Sequence, residues 1–360
     1  MGAGSALSLP GMPRPSPPAS PPGPGRVTIA DVAQAAGVHP STVSRALNPA
    51  TQGMVTEEVA ARVAAAAEQL GWRPSTLAAG LRTRRSRTIG ILVPDLVNPV
   101  FPPIVRAAET RLAEAGYVTL VANTDTDPGR EALLIDRMAG HLVDGLMLAS
   151  AARGSPAVAL CARWRIPTVL INRRLPGAEL DAVVNDDRLG MRLAVQHLLD
   201  LGHRRIAHLG GPTGVSTATD RRHGFRAALR TAGIDDRAAP VVAAGAYTRD
   251  AGRQAMERLL QGPAFTAVAV ANDMLCLGVY DALEAAGLAV GRDVSVTGFN
   301  DMPFVDRIAP ALTTVRIQHA EMGRQAAALL LEAIAGAAAR ARQVVLQPEL
   351  VVRASTTRPS

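Results

Sequence analysis

The chain has 360 residues, 48% of them apolar, with two cysteines and a net charge of +7: length for about two domains, and a core that needs no disulfide staples. Cys161 and Cys276 alone exclude a disulfide scaffold or a cysteine-rich zinc module, and the absence of an uncharged apolar run of about 18 residues excludes a membrane-spanning helix, so a soluble cytoplasmic protein is expected. Nine arginines face four acids in residues 1–87 (+5) but 29 face 27 in residues 88–360 (+2), which sets a polyanion-facing front end on a nearly neutral body.

In chain order, residues 1–25 carry eight prolines and a single charged side chain, Arg14. They cannot bury enough apolar surface to order, so a disordered leader is expected, and they lack the continuous apolar core of a secretion signal. Residues 26–73 read as three short helices. Thr28 and Asp31 make a capping-box-like start, after which Ile29, Val32, Ala33 and Ala36 share a face. Gly37-Val38 makes a turn, Pro40 opens a second helix with Val43, Ala46 and Leu47 inward, and Asn48-Pro49 ends it. The third helix follows Thr56, holds Val59, Val63, Ala66, Ala67 and Leu70 inward, and stops at Gly71.

After Arg87 short Val/Ile/Leu strands alternate with amphipathic helices. Strands are expected at 89–93, 118–122, 145–148, 168–171, 206–209, 268–271 and 294–298, with helices including 104–115, 191–201, 224–232, 253–260 and 275–286. Continuous apolar strands between helices indicate parallel sheets covered on both faces, and about ten of them suit two doubly wound α/β lobes.

Helix, glycine turn and helix over 27–48 define a helix-turn-helix whose second helix, ~12 Å long, matches the width of a major groove. Pro40, Ser41, Ser44 and Arg45 face outward. Arg45 can donate two bonds to a guanine edge, and Ser41 can exchange a bond with a base beside Pro40. Thr28, Ser44 and Asn48 suit phosphate oxygens, which fix register without reading sequence.

The stretch VTIADVAQAAGVHPSTVSRALN is similar to the lactose-repressor/galactose-repressor family of bacterial transcriptional regulators. WRPSTLAAGL (72–81), IGILVPDLVNPVFPPIVRAAE (89–109) and ALTTVR (311–316) resemble that family too, in the same order, over residues 26 to 356. His39 departs from the Ser that members often carry at the second-helix N-cap, and Gly80 weakens the segment that follows. The resemblance makes 74–87 a hinge helix that orders on DNA, Leu81 wedging into the minor groove beside Arg82, with Arg84, Arg85 and Arg87 toward phosphates. It also implies a body of the type I periplasmic-binding-protein kind at 88–356, its N-lobe 88–186 with 317–345 and its C-lobe 187–316 with 346–356.

Ligands of such sheets lie beyond the carboxyl ends of strands. Those ends carry Asp95, Asn123-Thr124-Asp125, Asn172-Arg173, Asn272-Asp273 and Asn300-Asp301, a donor and acceptor set suited to a polyhydroxyl compound. The family pattern places effector contacts at Phe101, Asp125, Arg221, Tyr247, Asn272 and Asn300, with Asn172 and Arg173 beside them; Asn300 stands where many members have Asp. No zinc-protease motif, nucleophile elbow or phosphate-cradling loop occurs, and Gly210–Gly214 reads as a plain loop, so no catalytic residue, metal or cofactor is expected. The expected protein is a homodimeric, nucleoid-associated bacterial repressor of carbohydrate genes. It reads a pseudopalindromic double-stranded operator and answers to a sugar or sugar phosphate, without a membrane partner. The competing reading is a small-solute receptor, which the missing secretion signal disfavours.

Overall fold

Thr28 opens helix α1 (Ile29–Ala36): its hydroxyl accepts from the Asp31 N–H at 3.4 Å while the Asp31 carboxylate accepts from the Thr28 N–H at 2.7 Å. The Thr28 N–H and then the Thr28 hydroxyl, both donating to it, hold the Asp31 carboxyl below the usual carboxylate range. The computed structural model describes residues 27–48, 51–72, 85–141, 143–175, 177–337 and 340–359. The leader and residues 74–84 of the expected hinge, with Leu81, Arg82 and Arg84, lie outside the described residues.

Gly37, at φ 62°, ends α1 in the left-handed conformation that glycine adopts without strain. Helix α2 (Pro40–Ala46) follows, and His39 caps it through its ring, Nδ1 accepting from the Ser41 N–H at 3.3 Å; imidazole thus does the work of the more usual hydroxyl. Helix α3 (Glu57–Gln69) closes the unit over a core of Val32, Ala33, Ala36, Val43, Ala46, Val63, Ala66 and Ala67. Leu70, expected inward, is exposed: the helix ends at Gln69, and Trp72 packs on this core instead. Thr28→Ala should cost ~0.5–2 kcal/mol of this unit's stability in urea unfolding, because the hydroxyl's bonds with the Asp31 N–H and carboxylate are lost while the backbone N–H of residue 28 keeps its bond to Asp31.

The chain divides into two units, Met1–Ala79 and Gly80–Ser360. The second holds two six-stranded sheets. The first sheet runs β1 (Thr88–Val93), β2 (Val118–Asn123), β3 (Gly145–Leu148), β4 (Thr168–Ile171), β5 (Asp181–Asn185) and, far along the chain, β11 (Gln343–Leu346), all parallel in the order β11-β5-β4-β3-β1-β2. Helices α4 (Phe101–Glu114), α5 (Pro128–Gly140) and α6 (Ala157–Trp164) connect its strands. The second sheet contains β6 (Ile206–Gly210), β7 (Val241–Ala243), β8 (Ala267–Val270), β9 (Ser295–Asn300), β10 (Thr313–Arg316) and β12 (Glu349–Val351), in the order β12-β10-β9-β8-β6-β7; only β12 is antiparallel. Helices α7 (Asp187–Asp200), α8 (Ser216–Thr231), α9 (Arg249–Leu260) and α10 (Asp273–Ala285) pack with that sheet, whereas α11 (His319–Ile334) returns to pack on α4 and β3–β5.

The chain therefore passes between lobes three times, after β5, after β10 and after β11. In each sheet the strand order reverses beside the first strand of the lobe, between β1 and β3 and between β6 and β8, which is where doubly wound sheets place their ligands. Among the described residues no helix is long and apolar enough to cross a membrane.

Candidate functional site

In the first unit, Pro40, Ser41 and Arg45 stand exposed on α2 while Val43 and Ala46 are buried beneath them. Ser41 and Arg45 are four residues apart and share a face. The Arg45 guanidinium has no hydrogen bond or ion pair among the described residues, so its fork is open to a partner. The Ser41 hydroxyl lies 2.8 Å from His39 Nδ1, which is already accepting from the Ser41 N–H, so the hydroxyl proton points to the ring and the oxygen is left to accept. Ser44 and Asn48 are half-buried. The Thr28 hydroxyl is bonded to the Asp31 carboxylate at 2.8 Å, and its cap role competes with the expected phosphate contact. Arg87 is likewise engaged elsewhere: its guanidinium donates to the Ala115 carbonyl at 3.3 Å and lies 5.2 Å from the Tyr117 ring centre, within the second unit, to which it belongs.

In the second unit, Phe101, Asp125, Asn172, Arg173, Arg221, Tyr247, Asn272 and Asn300 all line one cavity of about 460 Å3. They come from the carboxyl ends of β2, β4, β8 and β9, from the first turn of α4, from α8, and from the loop after β7. Asn98, Thr217 and Thr248 line it too. Spacing did not single these out, although the polar residues inside the otherwise apolar run after β1 and at the head of α8 were the available signal.

Backbone strain gathers here. Asp125 (φ 54°), Thr126 (φ 57°), Asn172 (φ 62°) and Asn300 (φ 111°) all line the cavity in the left-handed region that side chains avoid. The Asn123 amide donates to Asp125, and Arg130 pairs with it at 3.2 Å, fixing that turn.

Arg221 is 2% exposed. Its Nε donates to Asp187 Oδ1 at 2.8 Å, another guanidinium nitrogen reaches the same oxygen at 2.7 Å, and a third donates to the Ala271 carbonyl at 2.5 Å. A longer bond, 3.4 Å, goes to Asn300 Oδ1, and the plane lies 3.8 Å from the Phe299 ring centre. Asp187 is buried, and burial pushes its carboxyl up to about 6 against the pull of Arg221, so it is ionised at neutral pH. Sequence reading missed this residue, which carries the counter-charge of the cleft.

Arg173, also buried, donates to the Ser150 carbonyl at 2.9 Å. Ser150 in turn donates to Glu131 at 2.5 Å, beneath the cleft wall. Burial lowers the Arg173 pKa, and the Tyr247 hydroxyl and the Glu131 carboxylate act the other way. Two buried polar atoms of this wall, Asn172 Oδ1 and Arg173 Nε, have no hydrogen-bond partner among the described residues. A desolvated acceptor and a desolvated donor without partners are costly unless a ligand meets them.

Tyr247 lies 3.3 Å from Thr217 through its hydroxyl, and Gly211 makes room for it: a Cβ there would fall on the Tyr247 hydroxyl and ring. Gly211→Ala should push the ring aside and cost ~1–3 kcal/mol. Calorimetric titration should then show effector affinity lowered tenfold or more, with the operator complex retained. Among the described residues no group of three His, Cys, Asp or Glu side chains is placed to hold a metal ion.

Residues 28–75 match the model for bacterial regulatory proteins of the lacI family, and residues 195–356 match a periplasmic binding protein-like domain. The ribose operon repressor of Escherichia coli K12 is 34% identical over 330 residues, 91% of this chain and 99% of that protein. Among solved structures, the lac repressor dimer bound to operator and the anti-inducer ONPF superposes with a TM-score of 0.81 at 27% identity, covering 92% of this chain and all of that one. A LacI family regulator from Enterococcus faecium with bound ribose gives 0.68 at 29% identity, over 76% of this chain and all of that one.

Proposed function

Because the chain belongs to the lacI family of bacterial regulatory proteins, we propose that it represses carbohydrate genes by holding a pseudopalindromic operator as a homodimer, under control of a neutral sugar in its interlobe cleft. It is a transcriptional regulator with a helix-turn-helix unit and a two-lobed α/β sensor. Arg45, with Ser41 and Pro40, reads base edges; Ser44, Asn48 and Thr28 fix the head on phosphates; Leu81 and Arg82 enter the minor groove between the heads. The protein acts by binding alone, without catalysis, in the bacterial cytoplasm where its operator lies.

The observation that carries the effector reading is the pair of desolvated, unpartnered atoms Asn172 Oδ1 and Arg173 Nε beside the fixed fork of Arg221. A hydroxyl can donate to the first and accept from the second, and a polyol presents several such groups on one ring. Charge favours the free sugar over its phosphate: Arg173 and Arg221 face Asp95 and Asp125 on the cavity wall and Asp187 behind it. Phe101 and Tyr247 supply the apolar surfaces on which a sugar ring lies.

Selection of a random duplex pool on the purified protein, with and without a sugar panel that includes ribose, tests the proposal. Enrichment of a two-fold symmetric site that one sugar releases or strengthens is expected, and the sign identifies inducer or co-repressor. A folded, dimeric protein that enriches no sequence under any condition would refute it.

A further inference from the structure

Behind the loop that holds Tyr247 in place lies a second cavity, about 470 Å3. The Gly210–Gly214 loop and the first turn of α8 form the wall between the two. Val215 and Thr217 face the first cavity, and Ser216, Ala218 and Thr219 face the second. Both lobes build it. Arg153 and Arg174 come from the first lobe, Arg188 from α7 and Arg222 from α8, and their lobes are tied there by bonds from the Arg153 N–H to the Gly214 carbonyl and from the Arg174 N–H to the Ser216 hydroxyl, each 3.0 Å.

Four guanidinium groups line this cavity against one carboxylate, Asp220, a surplus of 4 − 1 = 3 positive charges. Asp220 is buried and already saturated: Arg174 reaches its two oxygens at 2.8 Å each, and Arg188 reaches one at 2.9 Å. The guanidinium groups of Arg153 and Arg222, both exposed, have no ion pair or hydrogen bond among the described residues. His223, 3.4 Å from Arg188, feels the same field: burial and then the Arg188 charge keep it below the usual histidine range. The head of α8 adds to it, since the N-cap residue, Val215, offers no side-chain acceptor to the first N–H groups of this 16-residue helix.

We propose that this cavity is a second ligand site, which takes a phosphate dianion, free or as the phosphate monoester of a small metabolite. Arginine forks match phosphate geometry bidentately, and a dianion neutralises most of the surplus charge. The site is independent of the sugar reading, which concerns the other side of the wall. Because Arg153 and Arg174 belong to one lobe and Arg188 and Arg222 to the other, a bound phosphate joins the lobes. The shared wall also carries the effect to Thr217 and Tyr247, so the two ligands must alter each other's affinity reciprocally.

The test is calorimetric titration of the full chain, free of DNA and at constant ionic strength, with inorganic phosphate, glucose 6-phosphate and glucose. Saturable binding of a phosphate probe is expected, weakened tenfold or more in the Arg153→Gln, Arg222→Gln double variant and tightened in Asp220→Asn. Binding of both phosphate probes identifies free phosphate as sufficient, and binding of glucose 6-phosphate alone identifies an ester. The guanidinium groups of the two exposed arginines make no hydrogen bond or ion pair among the described residues, and glutamine keeps the Arg153 backbone bond, so an unchanged melting temperature of the double variant is expected. No saturable phosphate binding, or equal affinity in the wild type and the double variant, would overturn the site. A protein that binds phosphate here but no sugar would leave this site standing and remove the cleft reading.

Discussion

Arg221→Ala is expected to abolish effector binding and to destabilise the sensor by ~3–5 kcal/mol, the usual cost of stripping one partner from a buried ion pair. The side chain spans the cleft floor, pairing Asp187, holding the Ala271 carbonyl and lying on Phe299. Alanine leaves the Asp187 carboxylate desolvated with nothing opposite, and removes the fork from the ligand. The pH dependence separates these losses. In the wild type the native Asp187 carboxyl titrates at about 6, above its ordinary 3.8, so between about pH 4 and 6 the folded state holds a proton there that the unfolded state has released. Stability contributed by this group is therefore greatest below pH ~4 and falls as pH rises toward 6, by about 3 kcal/mol in all at ~1.36 kcal/mol per unit. Without Arg221 the native titration moves higher still, and the decline continues beyond neutrality. Urea unfolding at pH 5, 6, 7 and 8 should show the deficit of the variant widening with pH. Adding Asp187→Asn should restore much of the stability but none of the sugar binding. Sugar affinity equal to wild type in Arg221→Ala would remove this arginine from the site.

Arg45→Ala should weaken the cognate operator by ~1–3 kcal/mol per half-site and flatten base preference at one position in each half, while effector affinity stays unchanged. Arg45 stands exposed on α2 and belongs to a unit with its own core, so its removal reaches the DNA interface without passing through the sensor. Salt distinguishes base reading from phosphate neutralisation. Removing a bond to a base edge leaves the slope of log affinity against log salt nearly intact, whereas removing a cation from a phosphate lowers it by about one unit. Arg45→Lys keeps the charge but not the planar fork, so it should behave like alanine in specificity and like wild type in slope. Anisotropy titrations on the selected operator and on a half-site transversion, at two salt concentrations, read both quantities. Unaltered preference at every base pair would place another residue at the reading position.

The elements that sequence made legible are those whose burial follows a simple period. Strands β1, β3, β4 and β8 are almost continuous apolar runs, β6 and β9 keep enough of the pattern to be read despite His208 and the Ser and Thr of β9, and α1–α3 of the DNA-reading unit show clean stripes around a glycine turn. Strands β5, β7, β10, β11 and β12 have no counterpart among the expected strands, since none carries more than three apolar residues in a row. Of these, β7, β11 and β12 are edge strands of three or four residues half in solvent, and β5 and β10 are largely buried but polar at their ends (DAVVN and TTVR). Helices were read too late at their starts. Periodicity placed α8 from Gly224, yet it begins at Ser216, and its first eight residues, STATDRRH, carry no apolar stripe. They are polar because they wall two cavities, so function erased the local signal of structure. Asp187 was illegible for the same reason: a buried carboxylate makes sense only once Arg221 is seen opposite it, and 34 residues of sequence separate them.

The interleaved path of the chain sets a timetable for its birth on the ribosome. Strand β5 ends at Asn185, but its outer neighbour β11 begins only at Gln343, 343 − 185 = 158 residues later, and α11, whose Met322, Ala326, Leu329 and Leu330 are buried, lies in that interval too. At ~5–20 residues per second the nascent first lobe waits roughly 8–30 s with an open strand edge and an uncovered apolar face. The second lobe, begun during that wait, acquires β12 only at Glu349–Val351. Both halves of the sensor thus become complete within the same few residues of synthesis, and the waiting interval is when the chain most needs a chaperone.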